Sequence, residues 1–173
     1  LVYMFGHSVI GDVNSAFSAS ALGIYDTGAD SLLGVASLEG PAFHAYVTGR
    51  NVFYNNSSFD GNDPSAGTSD DQSIATDKQA LLPSGTATFS NYTSFDQGIN
   101  GAMIDIQNLA LPGALSLSDF QFRAGNADEP FPWNLAPQPV NNIAADIRLG
   151  EGAFGSDRIT LIWNANDIEK EWL

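Results

Sequence analysis

Apolar residues in this chain fall in short alternating runs, not in long helical stripes. Met103, Ile104 and Ile106 form an apolar strand that carries Asp105 in its middle, before Pro112-Gly113 closes the segment. The stretch from Asp157 to Trp163, DRITLIW, reads as a second strand of the same kind. Ala42 to Tyr54, AFHAYVTGRNVFY, alternates through Phe43, Ala45 and Val47, breaks at Gly49 and resumes at Val52, the pattern of a bulged strand or a tight hairpin. Ser118 to Ala124 alternates strictly, with Phe120 and Phe122 on one side and Gln121 and Arg123 on the other. Leu1 to Ile10, Thr86 to Phe89 and Asn142 to Leu149 are further strand candidates. One short helix is predicted over Ser73 to Leu82, where Ile74, Ala75, Lys78 and Leu81 fall at helical spacing before Pro83 and Gly85 end it.

About eight to ten short strands between turn-rich loops predict an all-β fold, an antiparallel β-sandwich of jelly-roll or Ig-like type with long loops and at most one short helix. Parallel α/β architecture is disfavoured, because its crossovers need amphipathic runs that only Ser73 to Leu82 approaches. Residues 41–173 are assigned to the sandwich domain, and residues 1–40 to an N-terminal strand and an irregular segment. An apolar terminal strand must pair within its own sheet or be donated to a neighbour, so Leu1, Val2, Tyr3, Met4 and Phe5 are candidate assembly residues. The chain opens at Leu1 rather than Met and reads as a processed product or a segment of something longer.

Composition narrows the partners. The chain has 173 residues, enough for one buried core, and 17 Gly and 8 Pro argue against long helices. Its 20 acidic residues against 6 basic ones give a net charge of −14, which repels phosphate backbones and excludes nucleic acid as an expected partner. There is no cysteine, so disulfides and thiolate metal sites are ruled out. No apolar run approaches the length of a membrane span.

The acidity is densest from Phe53 to Asp71, FYNNSSFDGNDPSAGTSDD, where Gly61, Pro64 and Gly67 let the backbone bend around the oxygens. Asp60, Asn62, Asp63, Asp70 and Asp71, with Asp77 nearby, are candidate ligands for calcium, which accepts six to eight oxygens in flexible geometry. The competing reading is a solvated acidic turn held by Asx hydrogen bonds. His7 and His44 are the only histidines and lie far apart, so they read as packing or surface residues. Glu129 and Glu151 are isolated, and no carboxylate pair stands out for glycoside hydrolysis. Trp133 and Phe131 in a Pro-rich loop, with Tyr92, are candidates for stacking on a sugar; the alternative is that Trp133 folds back as a lid on the core. Asn55, Asn56 and Asn91 begin N-x-Ser/Thr sequons.

Five segments follow one another along the chain: RNVFYNNSSFDGNDP from Arg50, SDDQSIATDKQALLPSGTATFSNYTSFDQGINGAMIDI from Ser69, DFQFRAGN from Asp119, GSDRITLIW from Gly155, and the closing EWL. Over residues 49–173 the chain resembles a β-sandwich module of very large secreted bacterial multidomain proteins, in which the module precedes dockerin-like tails. In that family the segment continues past the Trp-Leu pair, and Leu1 to Ser8, LVYMFGHS, resembles the later portion placed at the front. The resemblance implies a tandem or polymeric setting outside the cell, either secreted or at the cell surface. The function expected from these readings is a non-catalytic structural module, calcium-stabilised and self-associating. A carbohydrate-binding module that recognises extracellular glycans is the alternative.

Overall fold

The run GAMIDIQ forms the middle strand of a three-stranded antiparallel sheet in the computed structural model, which describes residues 45–82, 85–127 and 132–173. Numbered in chain order, the strands are β1 Tyr46–Val52, β2 Gly101–Gln107, β3 Arg123–Ala124, β4 Asn134–Leu135 and β5 Asp157–Ile162. The sheet order is β1-β2-β5, while β3 and β4 pair separately as a short ribbon. The described chain is all-β, and its helical turns are short 3-10 segments.

Both faces of β2 are buried. Ala102, Ile104 and Ile106 enter the larger core beside Ile159, Leu161, Trp163, Ile143 and Phe122. Met103 points the other way and packs with Phe53 and Ile162. The pairing of Ile104 with Ile159 and of Asp105 with Arg158 keeps apolar opposite apolar and charge opposite charge. In β1 the register slips between Val47 and Gly49, which leaves Thr48 as the extra residue of a bulge. Val47 and Val52 therefore share the larger core, although a regular strand would place them on opposite faces. The bulge alternative read at Gly49 holds, one residue earlier, and Asp105 is fully buried.

The two edges of the sheet differ. Beyond β5, Val140 N–H donates to Ile162 O at 2.7 Å, and Asn141 Nδ2 donates to Thr160 O at 2.9 Å while its Oδ1 accepts from Ile162 N at 2.8 Å. Arg148 exchanges two backbone hydrogen bonds of 2.9 Å with Arg158. The outer edge of β5 is thus covered, and β1 forms the other edge of the described sheet.

Several expected elements take another form. The helix over Ser73 to Leu82 is absent; a 3-10 turn spans Thr68–Ser73, and Phe53 bridges Ile74. Tyr54 N–H donates to Ser73 O at 3.1 Å and Ala75 N–H to Val52 O at 2.9 Å, so pairing beside β1 takes the groups a helix would use. At Thr88 the expected strand gives way to a turn over Phe89–Asn91, closed by Thr88 N–H on Asn91 Oδ1 at 2.8 Å. Ser118 to Ala124 is a strand only at Arg123–Ala124, because Asp119 accepts the Ser116 N–H at 2.8 Å and folds Leu117–Asp119 into a 3-10 turn. Asn142 to Leu149 is turn, apart from the bridge at Arg148. The described residues thus hold five strands, fewer than the alternation suggests. Leu1, Val2, Tyr3, Met4 and Phe5, His7, His44 and the boundary at residue 40 lie outside the described residues.

Candidate functional site

On the smaller-core face of the sheet a chain of charges replaces apolar packing. Asp105 projects from the middle strand and meets Arg158 of β5 in a two-pronged pair, with Nε to Oδ1 at 2.7 Å and Nη2 to Oδ2 at 2.8 Å. The third prong, Nη1, reaches Asp71 Oδ1 at 2.8 Å. Arg148 holds the same carboxylate, with Nη2 to Oδ1 at 2.5 Å and Nη1 to Oδ2 at 2.9 Å, and reaches Glu151 at 3.0 Å. Planar guanidinium forks suit such bidentate contacts in a way that an ammonium would not.

Small residues make room for Asp105. A Cβ on Gly49 would lie 2.7 Å from Asp105 Oδ2, and one on Gly152 would lie 2.9 Å from Asp105 Oδ1. Ala153 N–H adds a hydrogen bond to Oδ2 at 3.0 Å. Thr48, the bulge residue, donates to Ser156 Oγ at 3.0 Å, and Ser156 Oγ–H donates to Ala153 O at 2.7 Å, which fixes the turn that supplies this donor. Hydrogen bonding to Asp105 holds the Arg158 guanidinium far above its ordinary value, against the cost of burial. Burial alone would raise the Asp71 carboxyl, but the hydrogen bonds and charges of Arg148 and Arg158 outweigh it and lower the pKa. Asp71 is therefore committed to two arginines as an ion-pair partner.

The rest of the acidic loop divides by burial. Asp60 is 6% exposed, and its Oδ1 accepts the backbone N–H groups of Ser57, Asn62 and Asp63 at 2.9, 3.0 and 3.3 Å. Asp70, fully buried, accepts the Gly67 N–H on Oδ2 at 2.9 Å. Asp60 Oδ2, Asp70 Oδ1 and the Oδ1 of buried Asn55 have no hydrogen-bond partner. Burial pushes the Asp70 carboxyl up to about 6; the Gly67 N–H opposes this, while the charges of Asp60 and Asp63 add to it. Asn62 is exposed, in a left-handed conformation with φ of 60°, and Asp63 Oδ1 accepts the Ser65 N–H at 2.9 Å in an Asx turn. Asp77 is paired with Lys78 on the surface. Among the described residues, no three His, Cys, Asp or Glu side chains converge as a metal-binding group.

The aromatic candidates separate. Trp133 is 6% exposed, its Nε1–H donates to Ala127 O at 3.0 Å, and its ring lies where a Cβ on Gly125 would be, 2.6 Å away. The lid alternative describes it, and its indole face is not open to a sugar. Phe131 lies outside the described residues. Tyr92 is exposed beside Phe89, with ring centroids 5.4 Å apart, and borders an open cleft of about 460 Å³ whose lining includes Phe95, Asp96, Asn126 and Trp172. Two sequon asparagines, Asn55 and Asn91, are buried, and Asn56 is exposed.

Sequence reasoning noted Asp105 as a charge in an apolar strand and Asn55 as a sequon but assigned neither to the site, and it passed over Arg148 and Arg158. A signal existed for two of them: Asp105 and Arg158 are charges inside apolar strands, and such charges need partners. In a chain with only 6 basic residues, the partner search is short.

Compared with known proteins, the chain matches no family model, no curated protein sequence and no solved structure. No helix among the described residues is long and apolar enough to cross a membrane.

Proposed function

We propose that this chain is a non-catalytic, calcium-stabilised structural module of a secreted or surface-attached protein, a building unit of an extracellular assembly. The described sheet would be one layer of an antiparallel sandwich of jelly-roll or Ig-like type. The observation that carries the reading is the Asp105–Arg158–Asp71–Arg148 chain, in which buried Asp105 and Arg158 fasten a long loop to the sheet through Asp71. These four groups are tied in ion pairs that suit a scaffold, whereas a general acid or base needs a proton it can give or take near neutral pH. Among the described residues β1 ends the sheet, with only its Val52 end flanked by the Phe53–Ile74 bridge, and this edge supports assembly by strand addition, with Leu1 to Phe5 as the donated segment. The motif resemblance supports the extracellular setting. Size-exclusion chromatography with light scattering, with and without EDTA, tests assembly. Oligomers that disappear when residues 1–5 are deleted are expected, and a strictly monomeric chain overturns the reading.

A carbohydrate-binding module is the second reading, supported by the exposed Phe89–Tyr92 pair beside the open cleft. Glycan-array binding that is lost in Tyr92→Ala would favour it. Silence across plant, algal and bacterial glycans removes it.

A further inference from the structure

Two carboxylates and an amide beneath the acidic loop share an arrangement that hydrogen bonds within the protein leave incomplete. Each carboxylate has one oxygen fixed and one without a donor. Asp60 Oδ1 is held by three backbone N–H groups and Asp70 Oδ2 by one, whereas Asp60 Oδ2 and Asp70 Oδ1 are buried and receive nothing. Asn55 repeats the pattern independently of the acidic cluster. The residue is 4% exposed, its Nδ2 reaches the Pro64 carbonyl at 3.5 Å, and its backbone is fixed by Asn100, which accepts Asn55 N–H at 3.1 Å and donates to Asn55 O at 2.8 Å. The amide thus faces the loop at Pro64, with its Oδ1 buried and unpartnered.

Buried acceptors without donors are unusual, and buried carboxylates that also repel one another are more so. The arginines do not complete them: the Nη nitrogens of Arg148 and the Nε and Nη nitrogens of Arg158 are engaged with Asp71, Asp105 and Glu151, and the buried Arg148 Nε makes no hydrogen bond to either carboxylate, although its charge opposes the upward shift at Asp70. Oxygens oriented by a hydrogen bond on the sister atom, and lacking one themselves, have the disposition of metal ligands held by an outer shell. We propose that Asn55 Oδ1, Asp60 Oδ2 and Asp70 Oδ1 bind one calcium ion beneath the loop.

The donor set is all oxygen and carries two negative charges, which a divalent hard cation neutralises. Calcium fills its remaining positions from backbone carbonyls and water without demanding an octahedron, so an irregular loop suits it better than magnesium. Asp71 drops out of the ligand set and Asn55 enters it. The ion would join the start of the loop, at Asn55 and Asp60, to its end at Asp70, next to Asp71, which the arginines fasten to the sheet. This inference deepens the structural-module reading and rests on it only for the stabilising role given to calcium.

Calorimetric titration of the chelator-treated 173-residue chain with calcium chloride, and separately with magnesium chloride, tests the site. One calcium per chain is expected, and it should raise the melting temperature. Asp70→Asn and Asp60→Asn should each weaken calcium binding about tenfold or more, since affinity follows ligand charge. Asp77→Asn, at a carboxylate already on Lys78, should leave it unchanged. In EDTA, Asp70→Asn should melt no lower than the parent, because it removes a buried charge and keeps the acceptor for Gly67, which separates loss of a ligand from loss of the fold. No saturable calcium heat, or equal affinity in the parent and both variants, overturns the site. Tighter binding of magnesium than of calcium overturns the choice of ion. A chain that binds calcium yet stays monomeric removes the assembly reading alone, and one that assembles without binding calcium removes this site alone.

Discussion

The two faces of the middle strand β2 are both buried, yet they are held by different physics. On one, Ile104, Ile159, Leu161 and Trp163 pack as an ordinary apolar core. On the other, Phe53, Met103 and Ile162 give way within the same strands to Asp105 and Arg158. Apolar packing is non-directional and tolerates exchange among side chains of similar volume. The charged face depends on bonds of fixed direction, and removing one partner leaves the other buried without compensation. The acidic loop is thus anchored by a few specific bonds, while the opposite layer is anchored by area.

The strongest way to break that contrast is to cut the pair at its buried end. Asp105→Ala should destabilise the fold by about 3–5 kcal/mol, because Arg158 would stay buried with its main partner gone. Urea denaturation would measure it, and a loss below about 1 kcal/mol would place Arg158 in water in the folded state. The double change Asp105→Leu with Arg158→Met should cost less than Asp105→Ala alone, since it removes both charges together.

Leu161→Ala tests the apolar face, where about 2–5 kcal/mol is expected, depending on how far Trp163 and its neighbours close the cavity. This variant should leave the salt dependence of unfolding unchanged, which distinguishes it from the variants at Asp105.

Asp71→Asn is the smallest of the three. Its carboxylate is 36% exposed, so water replaces part of the lost interaction, and about 1–2 kcal/mol is expected. The same group sets a pH dependence. Its folded pKa lies below the ordinary aspartate value of 3.8, so its stabilisation is present above that value and is lost as pH falls through the folded pKa. Melting curves in EDTA should therefore show the parent losing its advantage over Asp71→Asn below that value.

How much was legible in the sequence follows the same division. The strands around Met103 to Ile106 and Asp157 to Trp163 were readable because apolar side chains report burial wherever their partners lie. The bulge was readable from the break at Gly49, although not its place at Thr48. The helix over Ser73 to Leu82 was misread because its spacing is local, whereas the deciding hydrogen bonds come from Val52 and Tyr54. At Ser118 and Thr88 the alternation was real, but Asp119 and Asn91 offered the backbone closer partners. In the loop, counting oxygens located the cluster but could not divide it, since Asp70 and Asp71 are adjacent and have different fates. That division depends on Arg148 and Arg158, which come much later in the chain.

That distance has a kinetic consequence. Asp71 and Arg158 are separated by 87 positions, so their bond is expected to form after β5 has joined β2 and the chain between them has been gathered in. A contact of such long range closes late, and energy added after the transition state slows unfolding without speeding folding. In stopped-flow chevrons, Asp71→Asn should then raise the unfolding rate and leave the refolding rate nearly unchanged. The ion bridge would act as a latch, setting how long the native state lasts more than how quickly it is reached.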